Sequence, residues 1–196
     1  MTQILLASTS RYRKTLLEKL SLPFSCVSPQ VDESPYDNES ASQLAARLAQ
    51  AKASDVADKY RQQDYLIIGS DQVAELNGSL LGKPGTVERA VAQLAMCSNQ
   101  LVTFHTGLCV INTTTQNVDT VVETYAVKFR RLTEQQIRNY IEKDQPLDCA
   151  GSFKCEDLGI TLFEKMIGDD PNTLIGLPLI KLTELLHKQG VDVLAQ

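Results

Sequence analysis

Lys52, Lys83 and Arg13, together with the carboxylates Glu33 and Asp71, are residue types that, once assembled, can grip a polyanion and move a proton. Asp71 comes three residues after the apolar run Leu66-Ile67-Ile68, a strand signal, and its position predicts a carboxylate at the end of a core strand. An ionised carboxylate beside a core is costly without a cation, so Asp71 either faces solvent or holds something. Lys52 continues the helical stripe Leu44, Leu48 at i, i+4, i+8, which directs its ammonium toward the body of the protein or the rim of a cleft. A snorkelling lysine at a core edge would give the same spacing. Lys83 stands before Pro84, which fixes the local backbone and could present the amine, as a surface turn also would. Glu33 and Asp71 lie on separate segments and form the kind of carboxylate pair that Mg²⁺ or Mn²⁺ uses alongside water and phosphates. "GSDQV" is no nucleophile elbow, and with His105 and His187 the only histidines the sequence argues against a His-based triad.

These groups need elements to position them. Residues 3–7 read as a first strand, and "STSRYRKTLLEKL" opens a helix with Leu16, Leu17 and Leu20 at helical spacing. Ser8, Thr9, Ser10, Arg11 and Arg13 thus surround a strand-to-helix junction, where free N–H groups and the helix dipole favour an anion. The alternative there is that Ser10 caps the helix and the arginines are solvated. A strand near residues 24–28 leads into a loop rich in Pro, Ser and acids (Asp32, Glu33, Asp37, Glu39), and Ser40 with Gln43 forms a capping box for an Ala-rich helix to about Tyr60. The strand ending at Asp71 is followed by a short one over 73–76 and the hairpin turn Asn77-Gly78. Thr86 starts a helix to about Met96, residues 101–111 and 118–129 predict two antiparallel strands, and Thr133 with Gln136 caps a helix to about Lys143. "CAGSFKCEDLG" is irregular, Asp170 caps a turn before Pro171, and a last helix stops at Gly190. The alternation predicts one α/β domain spanning residues 1–196, a mixed twisted sheet flanked by helices with a central cleft.

Hydrophobic residues at 43% and charged residues at 22% are ordinary for a globular chain, and no apolar run approaches the ~18 residues of a membrane span. A net charge of −5 and the lack of a Lys/Arg block exclude a nucleic-acid stripe, so an anionic ligand must be met by a local cluster. Five cysteines with no C-x-x-C pair fit a reduced cytoplasm and packing roles rather than disulfides or structural zinc.

Several segments, "LLASTSRYRKTLLEKL", "VDES", "LAQAKA", "IIGSDQV", "LGKPG", "TGLCV", "CAGSFKCEDLGI" and "DPNTLIGLPL", occur in an order that resembles the Maf-type nucleoside triphosphate pyrophosphatases, also described as septum-formation inhibitors. The resemblance implies hydrolysis of a nucleoside triphosphate to a monophosphate and pyrophosphate with a divalent cation, and commonly a homodimer. It assigns Asp71 as catalytic base, Glu33 as the second, metal-holding acid beside it, and Ser8, Arg13, Lys52 and Lys83 as phosphate contacts. "GSDQV" with "CAGSFKCE" is similar to the branch that prefers 7-methyl-GTP, with specificity positions on Tyr12, Gln72 and Glu156. That branch usually carries Pro-Trp-Arg-Arg where this chain has Arg11-Tyr12-Arg13-Lys14. The expected recognition is a cation–π contact between Tyr12 and the methylated ring, and a buried Glu156 carboxylate accepting from the guanine N1–H and amino group. The rival readings are a nucleotide-sensing regulator of division that binds without turnover, and the same hydrolysis on another nucleotide.

Overall fold

The computed structural model describes residues 3–195. The first part of the chain runs β1 (Gln3–Ala7), α1 (Arg11–Glu18), β2 (Phe24–Val27), α2 (Ala41–Lys59) and β3 (Tyr65–Leu76). β2 and β3 pair with β1 on its two sides, both parallel to it. The order therefore reverses at β1, and the two crossover helices cover opposite faces. Leu16 and Leu17 of α1 pack with Leu6, Leu66 and Ile68, whereas Ala49, Ala53 and Val56 of α2 pack with Leu5, Ala7 and Ile67. In an open α/β sheet, the crevice beyond the strand ends at such a reversal is where a ligand is bound.

Beyond β3 the sheet turns antiparallel. β4 (Ser79–Leu81) returns along β3 through the Asn77-Gly78 turn, both residues at positive φ. α3 (Val87–Cys97) leads to β5 (Leu101–Asn112) and β6 (Val118–Phe129), two long strands paired over most of their length. α4 (Glu134–Asp144), two short 3₁₀ turns, β7 (Phe163–Ile167), α5 (Asn172–Ile175) and α6 (Leu179–Lys188) complete a seven-stranded sheet of order β2-β1-β3-β5-β6-β7, with β4 against β3. The capping boxes at Ser40 and Thr133 are both formed. Asp170 does more than cap a turn, because one carboxylate oxygen accepts from the Asn172 N–H and the other from the Ile180 N–H, tying the starts of α5 and α6 together.

The course of β3 departs from the sequence reading. Asp71 does not end a strand. β3 runs unbroken through it to Leu76, hydrogen-bonded to β5 along its length from Leu66 to Glu75. What stops near Asp71 is the neighbour on the other side: β1 pairs with β3 only as far as Gly69, and β4 pairs with it only from Ala74 onward. The intervening edge, residues 70–73, lies open.

α2 reaches that opening because its contact face is alanine and the strands beneath it carry glycine. A Cβ on Gly107 would sit 2.1 Å from the Ala45 carbonyl oxygen, and one on Gly69 would sit 2.3 Å from that of Ala49. The helix backbone lies on the strands with no side chain between them. Gly107→Ala forces the helix away, and over-packing of this kind costs about 1–3 kcal/mol. Urea denaturation of that variant should show a lower midpoint at unchanged slope; an unchanged midpoint would mean the close approach is not needed.

Candidate active site

A cleft of about 900 Å³ opens at the uncovered stretch of β3, and every residue singled out from the sequence lines it: Ser8, Tyr12, Arg13, Glu33, Lys52, Asp71, Gln72, Lys83 and Glu156. Successive strand residues point to opposite faces. Asp71 and Val73 therefore face α2, while Gln72 and Ala74 face the side of Phe104, Phe153 and α5. The cleft straddles the sheet edge, charged on one side and largely apolar on the other.

On the charged side, Lys52 is 7% exposed and Asp71 8%. The stripe Leu44, Leu48, Lys52 points inward as its spacing requires, and the Lys52 ammonium lies 2.6 Å from Asp71 Oδ1 and 2.6 Å from Glu33 Oε1. One buried ammonium thus draws two carboxylates from different segments to a single point. Burial alone would push the Glu33 carboxyl up, but the hydrogen bond and charge of Lys52, with Lys83 and Arg13 beyond, outweigh it and hold Glu33 below the usual range. Arg13 is pulled down by burial, against the opposing pull of Asp71 and Glu33. Its Nε donates to the Gly176 carbonyl at 2.8 Å, which moors α1 to the end of α5. At the strand-to-helix junction Ser10 Oγ caps α1 by accepting from the Arg13 N–H, the Arg13 guanidinium is buried rather than solvated, and the junction residues border the cleft. Ser8 is buried, its Oγ accepting from the Ser10 N–H at 3.1 Å. Lys83 is exposed at the rim.

On the other side, the Gln72 carboxamide nitrogen donates to the Thr173 carbonyl at 2.8 Å and the Leu174 carbonyl at 3.0 Å, with Thr106 Oγ1 at 3.1 Å. That nitrogen is committed to holding α5; the carbonyl oxygen has no hydrogen-bond partner among the described residues. Tyr12 is half-buried, with the Arg11 guanidinium 4.8 Å from its ring centroid and donating to its hydroxyl at 2.8 Å. Glu156 lines the cleft but is exposed, so the expectation of a buried carboxylate there is corrected. The run from 153 to 157 buries Phe153 among Phe104, Phe129 and Phe163, ring centroids 4.9–5.6 Å apart, which leaves Glu156 turned toward solvent.

Sequence reading missed Cys149 and Cys155 as cleft residues; read as packing groups, they border the apolar half. Burial pushes the Cys149 thiol up to about 12 and Cys155 up as well, so both line the wall as neutral thiols rather than nucleophiles. No motif marked them. Phe104 and Leu174 were also missed, for apolar residues at strand and helix spacing look the same whether they face a core or a cavity.

Residues 3–189 match the family described as Maf-like protein. The chain belongs to the Maf family. It is 53% identical over 193 residues to the 7-methyl-GTP pyrophosphatase of Aliivibrio fischeri (strain ATCC 700601 / ES114), covering 98% of this chain and 99% of that one.

For a Maf protein with this cleft, the donor set bears on which cation could be held. No group of three or more His, Cys, Asp or Glu side chains among the described residues is arranged around a metal position. Glu33 and Asp71, however, already converge on one cation, the ammonium of Lys52. Two carboxylates with the rest of the shell left to water and phosphate suit Mg²⁺ or Mn²⁺, and they are too few and too hard for a zinc site. The residues fit a hard divalent ion. No helix among the described residues is long and apolar enough to cross a membrane.

Proposed function

We propose that this protein hydrolyses 7-methyl-GTP to 7-methyl-GMP and diphosphate, a house-cleaning activity on modified nucleotides in the cytoplasm. The observation that carries the reading is the cleft divided across the edge of β3, with the Lys52, Asp71 and Glu33 cluster on one side and Tyr12, Gln72 and Glu156 on the other. The relative's name supports the substrate, and five free cysteines suit a reducing compartment.

A triphosphate brings about four negative charges, which Arg13, Lys52 and Lys83 offset, with the hydroxyl of Ser8 and the first N–H groups of α1 as further donors. Glu33 and Asp71 would hold Mg²⁺ or Mn²⁺, which when bound neutralises phosphate charge and makes water a better nucleophile. The phosphate nearest the nucleoside must cross the open edge between the two halves of the cleft, where Asp71 stands. Asp71 takes the proton of the attacking water, whose oxygen bonds to the α-phosphorus. The bond from that phosphorus to the bridging oxygen breaks, and the charge left on diphosphate meets Arg13 and Lys83.

The base is read in the other half. The face of Tyr12 attracts the cationic ring of 7-methylguanine, and Glu156 accepts from its N1–H and amino group. Pyrimidines offer neither. Because Glu156 is exposed, its net worth is modest, and Glu156→Gln should lower kcat/KM for 7-methyl-GTP about tenfold, roughly 1.4 kcal/mol, with little change for UTP. The test is diphosphate release with Mg²⁺ from 7-methyl-GTP, GTP, UTP and dTTP by both proteins. Wild type should favour 7-methyl-GTP by tenfold or more, about the value of one charge-assisted pair; equal rates on UTP and 7-methyl-GTP would reject the base assignment.

A further inference from the structure

Glu33 sits in a segment, residues 28–40, that has neither helix nor strand and spans the mouth of the cleft, with Pro29 and Pro35 also in the wall. Long irregular loops in compact domains are commonly functional, but a carboxylate on one is only as well placed as the loop's fastening. The Glu33 side chain is 58% exposed, and its ion pair is with Lys52. Burial of its own does not place it.

The fastening is a guanidinium. Arg47, on α2 five residues before Lys52, donates from Nε to Glu39 Oε1 at 2.6 Å and from Nη2 to Glu39 Oε2 at 2.8 Å. The same Nη2 donates to the carbonyl of Ser34, the residue after Glu33, at 2.9 Å. The guanidinium also lies 3.9 Å from the centroid of the Tyr36 ring. Glu39 in turn accepts from the Tyr36 N–H at 3.0 Å, so the loop is closed on itself around the arginine. The Glu39 side chain is 8% exposed, and the hydrogen bonds from Arg47 pull its carboxyl down to about 2. A forked, enclosed pair of this kind differs from the ordinary surface ion pair, which is worth little. On the other side of Glu33, Val31 packs against Val73 and α2, and the Gln30 N–H donates to Asp55. Among the described residues, Arg47 is the side chain outside the loop that hydrogen-bonds to the Ser34 to Glu39 side.

We infer that Arg47 is a positioning residue: it latches the 28–40 loop to α2 so that Glu33 meets Lys52 and Asp71, and it acts on the reaction through Glu33 rather than on the nucleotide. This rests on the role proposed for Glu33 above. Arg47 itself is not part of the cleft wall. Lysine cannot replace it, because a point charge reproduces neither the fork on Glu39 nor the stacking on Tyr36.

The test is a double-mutant cycle on diphosphate release from 7-methyl-GTP, with amide hydrogen exchange of residues 33–39 as a second readout. Arg47→Ala should lower kcat/KM about tenfold or more, the loss typical when a supporting contact behind a ligand is removed, and should speed exchange at the Ser34 to Glu39 amides. Arg47→Lys should resemble it, and Glu39→Gln should give the same pattern from the loop side. Against a Glu33→Gln background, Arg47→Ala should cost nothing further. Losses that multiply in the double variant would overturn the inference, as would faster loop exchange with undiminished turnover. If Glu33→Gln alone turns over like wild type while the latch still governs exchange, the role of Glu33 is what fails, and the inference falls with it.

Discussion

Asp71→Asn should turn over 7-methyl-GTP about 10³-fold more slowly than wild type, within the 10²–10⁴ that a positioned general base contributes, while binding the nucleotide almost as well. The substitution keeps the shape and leaves an amide oxygen to accept from Lys52 at the present 2.6 Å contact. Glu33 remains beside the ammonium, so no buried charge is left alone, and the stability loss should be about 1 kcal/mol. The activity loss is then chemical rather than a folding defect. Single-turnover rates at saturating Mg²⁺, with binding followed separately, check this. Turnover that persists would remove Asp71 as the base; binding that persists without turnover is what a pure nucleotide sensor would show in the wild type, and diphosphate release by wild type distinguishes the two.

Lys52→Met should have the largest effect on stability. Among the described residues it removes the only cation in ion-pair contact with Asp71, whose side chain is 12% exposed, and breaking a buried pair from one side costs about 3–5 kcal/mol. Glu33, more than half exposed, can turn to water, so the penalty falls on Asp71 and should lie near the lower end, about 3 kcal/mol. For a chain of this size that is a fall in Tm of roughly 6–12 °C. Adding Asp71→Asn removes the stranded charge, and the double variant should recover much of the loss while staying inactive. Calorimetry of the two single variants and the double one reads this directly; a double variant no more stable than Lys52→Met would mean that the pair is not what Lys52 stabilises.

The two residues show why part of the site was legible in the sequence. Helical spacing carries direction, so Leu44 and Leu48 foretold that Lys52 points inward, and the structure puts its ammonium on Asp71. Strand spacing carries the same information, but the sequence reads as a strand ending at Asp71 and a separate short one over 73–76. In "SDQVAEL" the two faces meet different polar surroundings, Lys52 on one side and the α5 carbonyls on the other, so polar and apolar residues no longer alternate and a continuous strand reads as two. β7, a five-residue edge strand of sequence Phe-Glu-Lys-Met-Ile, and α5, four residues held by Asp170 and by Gln72, have too little periodicity of their own to be predicted. Tertiary contacts create them. Glu156 is the opposite case: a carboxylate in an irregular segment carries no burial signal, and the Phe153 cluster next to it decides its exposure.

In the proposed reaction, water deprotonated by Asp71 at the open edge of β3 attacks the phosphorus nearest the nucleoside. Hydrolysis of 7-methyl-GTP in ¹⁸O-water, with both products weighed by mass spectrometry, tests it most directly. The label should appear in 7-methyl-GMP, with none in diphosphate; label in the diphosphate, or release of a nucleoside diphosphate and orthophosphate, would contradict the placement of the nucleotide across the strand edge.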